Sequence, residues 1–133
     1  MPVYDPGDTV EYDQTRFTVN SVRTSTGGEY FGPDAGNEFL VVDITVANTG
    51  DEELNVSTLL QLSVKDDAGR SYDISYTAMS TLDREFSQGR PIQPGSQRRG
   101  EIAFETPRGR SPLYLVMDFD VFAEGDKTFF SLR

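Results

Sequence analysis

The side chains best able to do chemistry in this 133-residue chain are carboxylates. Asp66 and Asp67 open a glycine turn and Asp73 lies just beyond it. Calcium takes about six to eight oxygen ligands and often draws them from such loops. Asp51, Glu52 and Glu53 crowd a second corner. Asp118 and Asp120 stand two apart, so on a strand they project from one face, where they could serve as acid and base or hold a cation. Each set also has a plainer account. Asp66-Asp67-Ala68-Gly69 is ordinary turn chemistry, and Asp118 with Asp120 reads as a solvated outer strand face. No spacing matches a known calcium loop, and no third catalytic partner stands beside the pair. No catalytic residue is assigned. Calcium at Asp66, Asp67 and Asp73 is the one cofactor these residues suggest, and its expected sign is a melting temperature raised by calcium at fixed ionic strength.

The totals exclude more than they include. There is no histidine, cysteine or tryptophan. The usual general base, the Ser-His-Asp arrangement, thiolate metal sites and disulfides are therefore absent. Twenty-two Asp and Glu against twelve Lys and Arg leave a net charge of −10. Such a surface repels nucleic-acid phosphates and anionic lipid head groups, so neither is expected as a partner. Only Lys65 and Lys127 are lysines, and acidic excess with scarce lysine resembles the proteins of salt-loving archaea. The alternative cause of the acidity is cation binding. No apolar run is long enough to span a bilayer, and Met1 to Pro6 is polar where a leader would be apolar. The expected chain is thus an intracellular protein or a mature domain without its leader.

Other candidates sit on loops. Residues 24–37 carry four glycines and a proline, with Tyr30 and Phe31 in the middle. One of these rings either folds back over the core or faces solvent as a contact for a partner. Asn55-Val56-Ser57 fits the N-glycosylation pattern. Arg98, Arg99, Arg108 and Arg110 form local basic spots, best read as partners of neighbouring carboxylates.

The elements that position these residues follow from period two. Leu40, Val42, Ile44 and Val46 point to one face of a strand that Asn48-Thr49-Gly50 ends. Phe39, Val41, Asp43, Thr45 and Ala47 take the other face. Thr9–Tyr12 and 16–22 precede it; Phe17 and Val19 share a face but Val22 falls opposite, so a bulge lies near Asn20-Ser21 or Val22 covers an edge. Residues 60–65 and 71–74 form a hairpin across Asp66–Arg70. Met79, Leu82 and Phe86 have helical spacing, with Ser80 and Asp83 as caps, which predicts a helical turn or two over an open end. Residues 99–105, 113–122 and 128–132 complete the set, the last as a closing edge strand. The reading is a single domain over 1–133, an all-β, immunoglobulin-like antiparallel sandwich of seven to nine strands.

Three stretches then carry a resemblance. Pro6-Gly7-Asp8-Thr9-Val10 precedes Phe17-Thr18-Val19-Asn20-Ser21-Val22; Phe39 to Gly50 forms the central strand; Ile92-Gln93-Pro94-Gly95 leads into Gly100-Glu101-Ile102-Ala103-Phe104-Glu105-Thr106-Pro107. Together they resemble an uncharacterised family of secreted and lipid-anchored domains of bacteria and archaea, related to the immunoprotective extracellular protein of mycobacteria. The resemblance implies an immunoglobulin-like sandwich and an extracellular or cell-surface place, and it carries no catalytic residues. The expected function is a non-enzymatic envelope domain whose partner is a protein or other envelope component. A cation- or small-ligand-binding accessory is the alternative, and an enzyme working with carboxylates alone is the third. The residues leave the oligomeric state open.

Overall fold

A computed structural model of the chain describes residues 3–28, 31–56, 62–87, 90–118 and 127–133. Among them are nine strands: β1 (Val3–Tyr4), β2 (Thr9–Tyr12), β3 (Thr15–Ser25), β4 (Asn37–Asn48), β5 (Leu62–Asp66), β6 (Ser71–Tyr72), β7 (Gln97–Pro107), β8 (Leu113–Asp118) and β9 (Lys127–Ser131). Among the described residues one short helix, α1 (Tyr76–Met79), lies between β6 and β7. One sheet runs β2-β3-β4-β7 and the other β1-β9-β8-β5-β6. The antiparallel β-sandwich expected from the sequence is therefore present, with one parallel pair, β1 against β9.

Alternation explains the core. Leu40, Val42, Ile44 and Val46 of β4 are buried against Leu62, Val64, Leu115 and Phe130 of the opposing sheet. Each large apolar side chain removed from water contributes about 1.5–3 kcal/mol, which serves in place of a disulfide. The bulge in β3 settles the position of Val22. The register slips between Val19, opposite Ile44, and Ser21, opposite Asp43. Asn20 is the extra residue, and Val22 falls opposite Val42 on the inner side, packed against the core. Asn20 faces outward, where its amide donates to Asp43 Oδ1 at 3.1 Å and Thr45 Oγ1 at 2.8 Å.

Three expectations are corrected. The strand at 127–131 is not an edge, because β1 pairs beyond it. The helix begins earlier than the spacing suggested: Ser75, not Ser80, is its N-cap and accepts from the Ala78 N–H at 3.1 Å. The segment from Ile74 to Phe86 does not close an open end. It runs as a strap along the free edge of β7. Ser75 N–H donates to Ala103 O, Glu101 N–H to Arg84 O, and Phe86 N–H to Glu101 O, at 2.9, 2.7 and 2.8 Å. The edge strand's polar groups are satisfied this way instead of being left open to another chain. Phe39, Val41 and Ala103, outward by the period-two count, are buried on this side.

Candidate functional site

The strap and the bulge organise a polar surface on the outer face of the β3-β4-β7 sheet. Asp43 and Glu101 stand directly opposite one another on neighbouring strands. Two carboxylates so placed repel, and each is held by an arginine on the diagonal. Arg99 forks onto Asp43 through Nε at 3.1 Å and Nη2 at 3.0 Å. Arg23, brought to the outer side by the bulge, forks onto Glu101 through Nε and Nη2, both at 3.1 Å. Burial alone would push the Asp43 carboxyl up, but the bonds from Arg99 and Asn20 and the positive fields of Arg99 and Arg84 more than offset it and hold the group below the usual carboxylate range. A general acid needs the opposite shift. Arg99→Ala is expected to lower the urea midpoint slightly at low salt, and by less at about 1 M salt, because the pair is exposed and screened.

Beside this pair opens a cleft of about 410 Å³ lined by Arg23, Ser25, Gly27, Leu82, Asp83 and Arg84, with Thr81 and Glu101. Its outer wall depends on a glycine. Gly27 has φ +92°, a left-handed conformation, and a Cβ there would fall 2.2 Å from the Phe31 carbonyl oxygen. That oxygen accepts from the Gly28 N–H at 2.8 Å, and Gly28 in turn lies against Thr81. Phe31 is 56% exposed. Tyr76 on α1 is exposed as well. Of the two aromatic candidates on the loop, Phe31 faces solvent and Tyr30 lies outside the described residues.

The acidic candidates do not converge. Among the described residues no three acidic side chains are grouped to hold a metal. Asp66 is a buried structural hub: its carboxylate accepts from the N–H groups of Ala68 and Arg70, the hydroxyl of Tyr72 and Arg110 Nη1, at 3.0, 2.9, 3.2 and 3.0 Å. Asp67 and Asp73 are exposed. Burial would raise the Asp66 carboxyl, yet those donors, Arg70 N–H and Tyr72 foremost, hold it below the usual range. The unfolded carboxyl titrates near ~3.9, so the stability its ionised form supplies is whole above that pH and is lost as pH falls through the lower folded value. In Asp66→Asn the acid-induced fall in melting temperature below about pH 4 is expected to be shallower than in the parent, from a lower value at neutral pH, read by thermal melts from pH 7 to 3.

The remaining candidates are scattered. Asp51, Glu52 and Glu53 are exposed, with Glu53 accepting from Gln93 at 3.2 Å. Asp118 is half-buried at the end of β8 and Asp120 lies outside the described residues. Asn55 is exposed just after the Leu54–Ile92 bridge, and Ser57 of its triplet lies outside. Arg98 donates to the carbonyls of Ser87 and Arg90 and stands 5.8 Å over the Phe86 ring. Arg108 is exposed beside Glu38 in a second cleft. Sequence reasoning put Arg99 beside a carboxylate without naming Asp43, and missed the Arg23–Glu101 fork. The signal was alternation, which puts Arg99 and Glu101 on one face, but the partners depend on a register that one bulge resets.

A family model described as "Domain of unknown function (DUF4352)" matches residues 4–127. No curated protein matches the chain. Several solved structures share its fold. A conserved hypothetical protein from Bacillus anthracis superposes with a TM-score of 0.75 at 18% identity, covering 98% of this chain and 95% of that one. The secreted protein MPT63 of Mycobacterium tuberculosis gives 0.69 at 16%, covering 98% and 96%. A putative lipoprotein of Bacillus subtilis gives 0.70 at 16%, with 92% of this chain matched to 37% of that one. At these identities the likeness is one of fold.

Proposed function

The chain belongs to the DUF4352 family, and from that premise we propose that it is a non-enzymatic extracellular or cell-surface domain that binds a protein or another envelope component. The observation that carries this reading is Phe31. A phenyl ring 56% exposed buries little apolar area of its own and leaves that area for a partner to cover. Tyr76 offers a second ring. Support for the location comes from the fold's occurrence in a secreted protein and a putative lipoprotein. Support against acid catalysis at this surface comes from Asp43, which its arginine fork helps hold below the usual carboxylate range where a general acid is raised.

The first test is fractionation and intact mass of the native protein from its source cells. Recovery with the envelope, or a mass carrying lipid or a glycan at Asn55, agrees with the reading; recovery as a soluble cytosolic protein of unmodified mass overturns it. Phe31→Ser is expected to weaken partner capture about tenfold with the melting temperature unchanged.

A second reading, a small-ligand accessory, is favoured by one feature, the 410 Å³ cleft. Its lining is polar, with both signs of charge, which suits a hydrogen-bonding ligand better than an apolar one.

A further inference from the structure

The cleft against the strap has a neighbour. A second cleft of about 340 Å³ is lined by Thr24, Ser25, Thr26, Glu38 and Arg108. Ser25 lines both, so the end of β3 forms a ridge of three consecutive hydroxyl residues between two polar hollows. Both volumes lie within the ~300–1,000 Å³ range of small-ligand sites. Binding sites of that size are mostly apolar, and these are not.

Charge narrows the ligand. The chain carries net −10, yet the first cleft sets Arg23 and Arg84 against Asp83 and Glu101, and the second holds Arg108 with Glu38, whose carboxylate is paired with Arg133. The first hollow has no net sign with which to draw an ion. An anion bonded to the remaining donors of Arg23 would stand beside the Glu101 carboxylate, with Asp43 directly opposite it, and be repelled by both. A neutral hydroxyl meets no such repulsion. Arg23 keeps three of its five N–H donors uncommitted, and each Glu101 oxygen keeps a lone pair. Fixed donors beside fixed acceptors match neighbouring hydroxyls, which donate and accept at once.

We infer that the two clefts flanking Ser25 bind a neutral saccharide, one ring or more to each side of the ridge. This rests on the envelope-facing reading above, with a glycan as the envelope component. The test is amide chemical-shift titration of the whole chain with neutral hexasaccharides built from glucose, mannose or N-acetylglucosamine. At least one series is expected to bind with a dissociation constant on the order of 1 mM. The shifts should be confined to residues 23–27, 81–84, 101 and 108. Arg84→Ala and Arg108→Ala, both at exposed positions, are expected to weaken binding at least about fivefold with unchanged melting temperature. Absence of shifts with every series at about 20 mM overturns the inference. So do shifts that map elsewhere, or binding restricted to charged glycans. A protein found on the envelope that shows no shifts loses the saccharide and keeps the surface role; a cytosolic protein that shows them does the reverse.

Discussion

Phe130→Ala is expected to lower stability by about 3–5 kcal/mol and the melting temperature by about 10–20 °C. Phe130 is fully buried in β9. It meets Phe17 of the other sheet edge-on, with ring centroids 5.5 Å apart, and Tyr4 of β1 at 5.7 Å. Truncation removes the transfer energy of the ring, leaves a cavity between two sheets held by hydrogen bonds within themselves, and forfeits both ring contacts. An antibody-type domain would bridge its sheets with a disulfide at its centre; here there is no cysteine to do so. Urea unfolding checks it: the midpoint should fall with the slope unchanged. A loss under about 1 kcal/mol would mean that the sheets are held together by something other than this aromatic contact.

Gly100→Ala comes next, with an expected loss of about 2–3 kcal/mol. A methyl group at Gly100 would sit 2.4 Å from the Phe86 Cα and 2.6 Å from its nitrogen. Those are backbone atoms of the strap, so no side-chain rotation relieves the clash. Either β7 or the strap shifts, and the 2.7 and 2.8 Å bonds that tie Arg84 and Phe86 to Glu101 stretch with it. Because the strap also forms one wall of the cleft, amide exchange at Glu101 and Phe86 should speed up more than exchange in β8. A variant as stable as the parent, with exchange unchanged, would show that the strap is not bound to β7 as described.

The parts of this fold that could be read in the chain were those where alternation is long and two-sided contrast is strong. Leu40 to Val46 announces a strand, its faces and its end. Alternation could not decide Val22, because a bulge is a change of count that the count itself cannot see; the register against Val42 decides it. It also missed β1: Val3 and Tyr4 are too few to show a period. Met79, Leu82 and Phe86 were read as one helical face. Met79 is helical and Phe86 is buried in extended chain against β7, so equal spacing there reflects two different ways of reaching the core. The candidate site was least legible. Asp66 stood out as a ligand because it opens an acidic turn, while its arginine partner is forty-four positions away in sequence. Arg23 and Glu101 stood out as nothing, being ordinary strand residues until three strands are laid in register.

The pairing of β1 with β9 has a mechanical meaning. The two strands run parallel, so the chain enters at one end of the ladder and leaves at the other. Tension applied between the two ends of the domain therefore acts along the strands and strains the β1–β9 hydrogen bonds together, in shear, where an antiparallel terminal pair would open one bond at a time. When that short ladder gives way, only the first few residues are paid out, and β2 still holds to β3 through all four of its register positions. Under such load the first strand is expected to part before the packed core does.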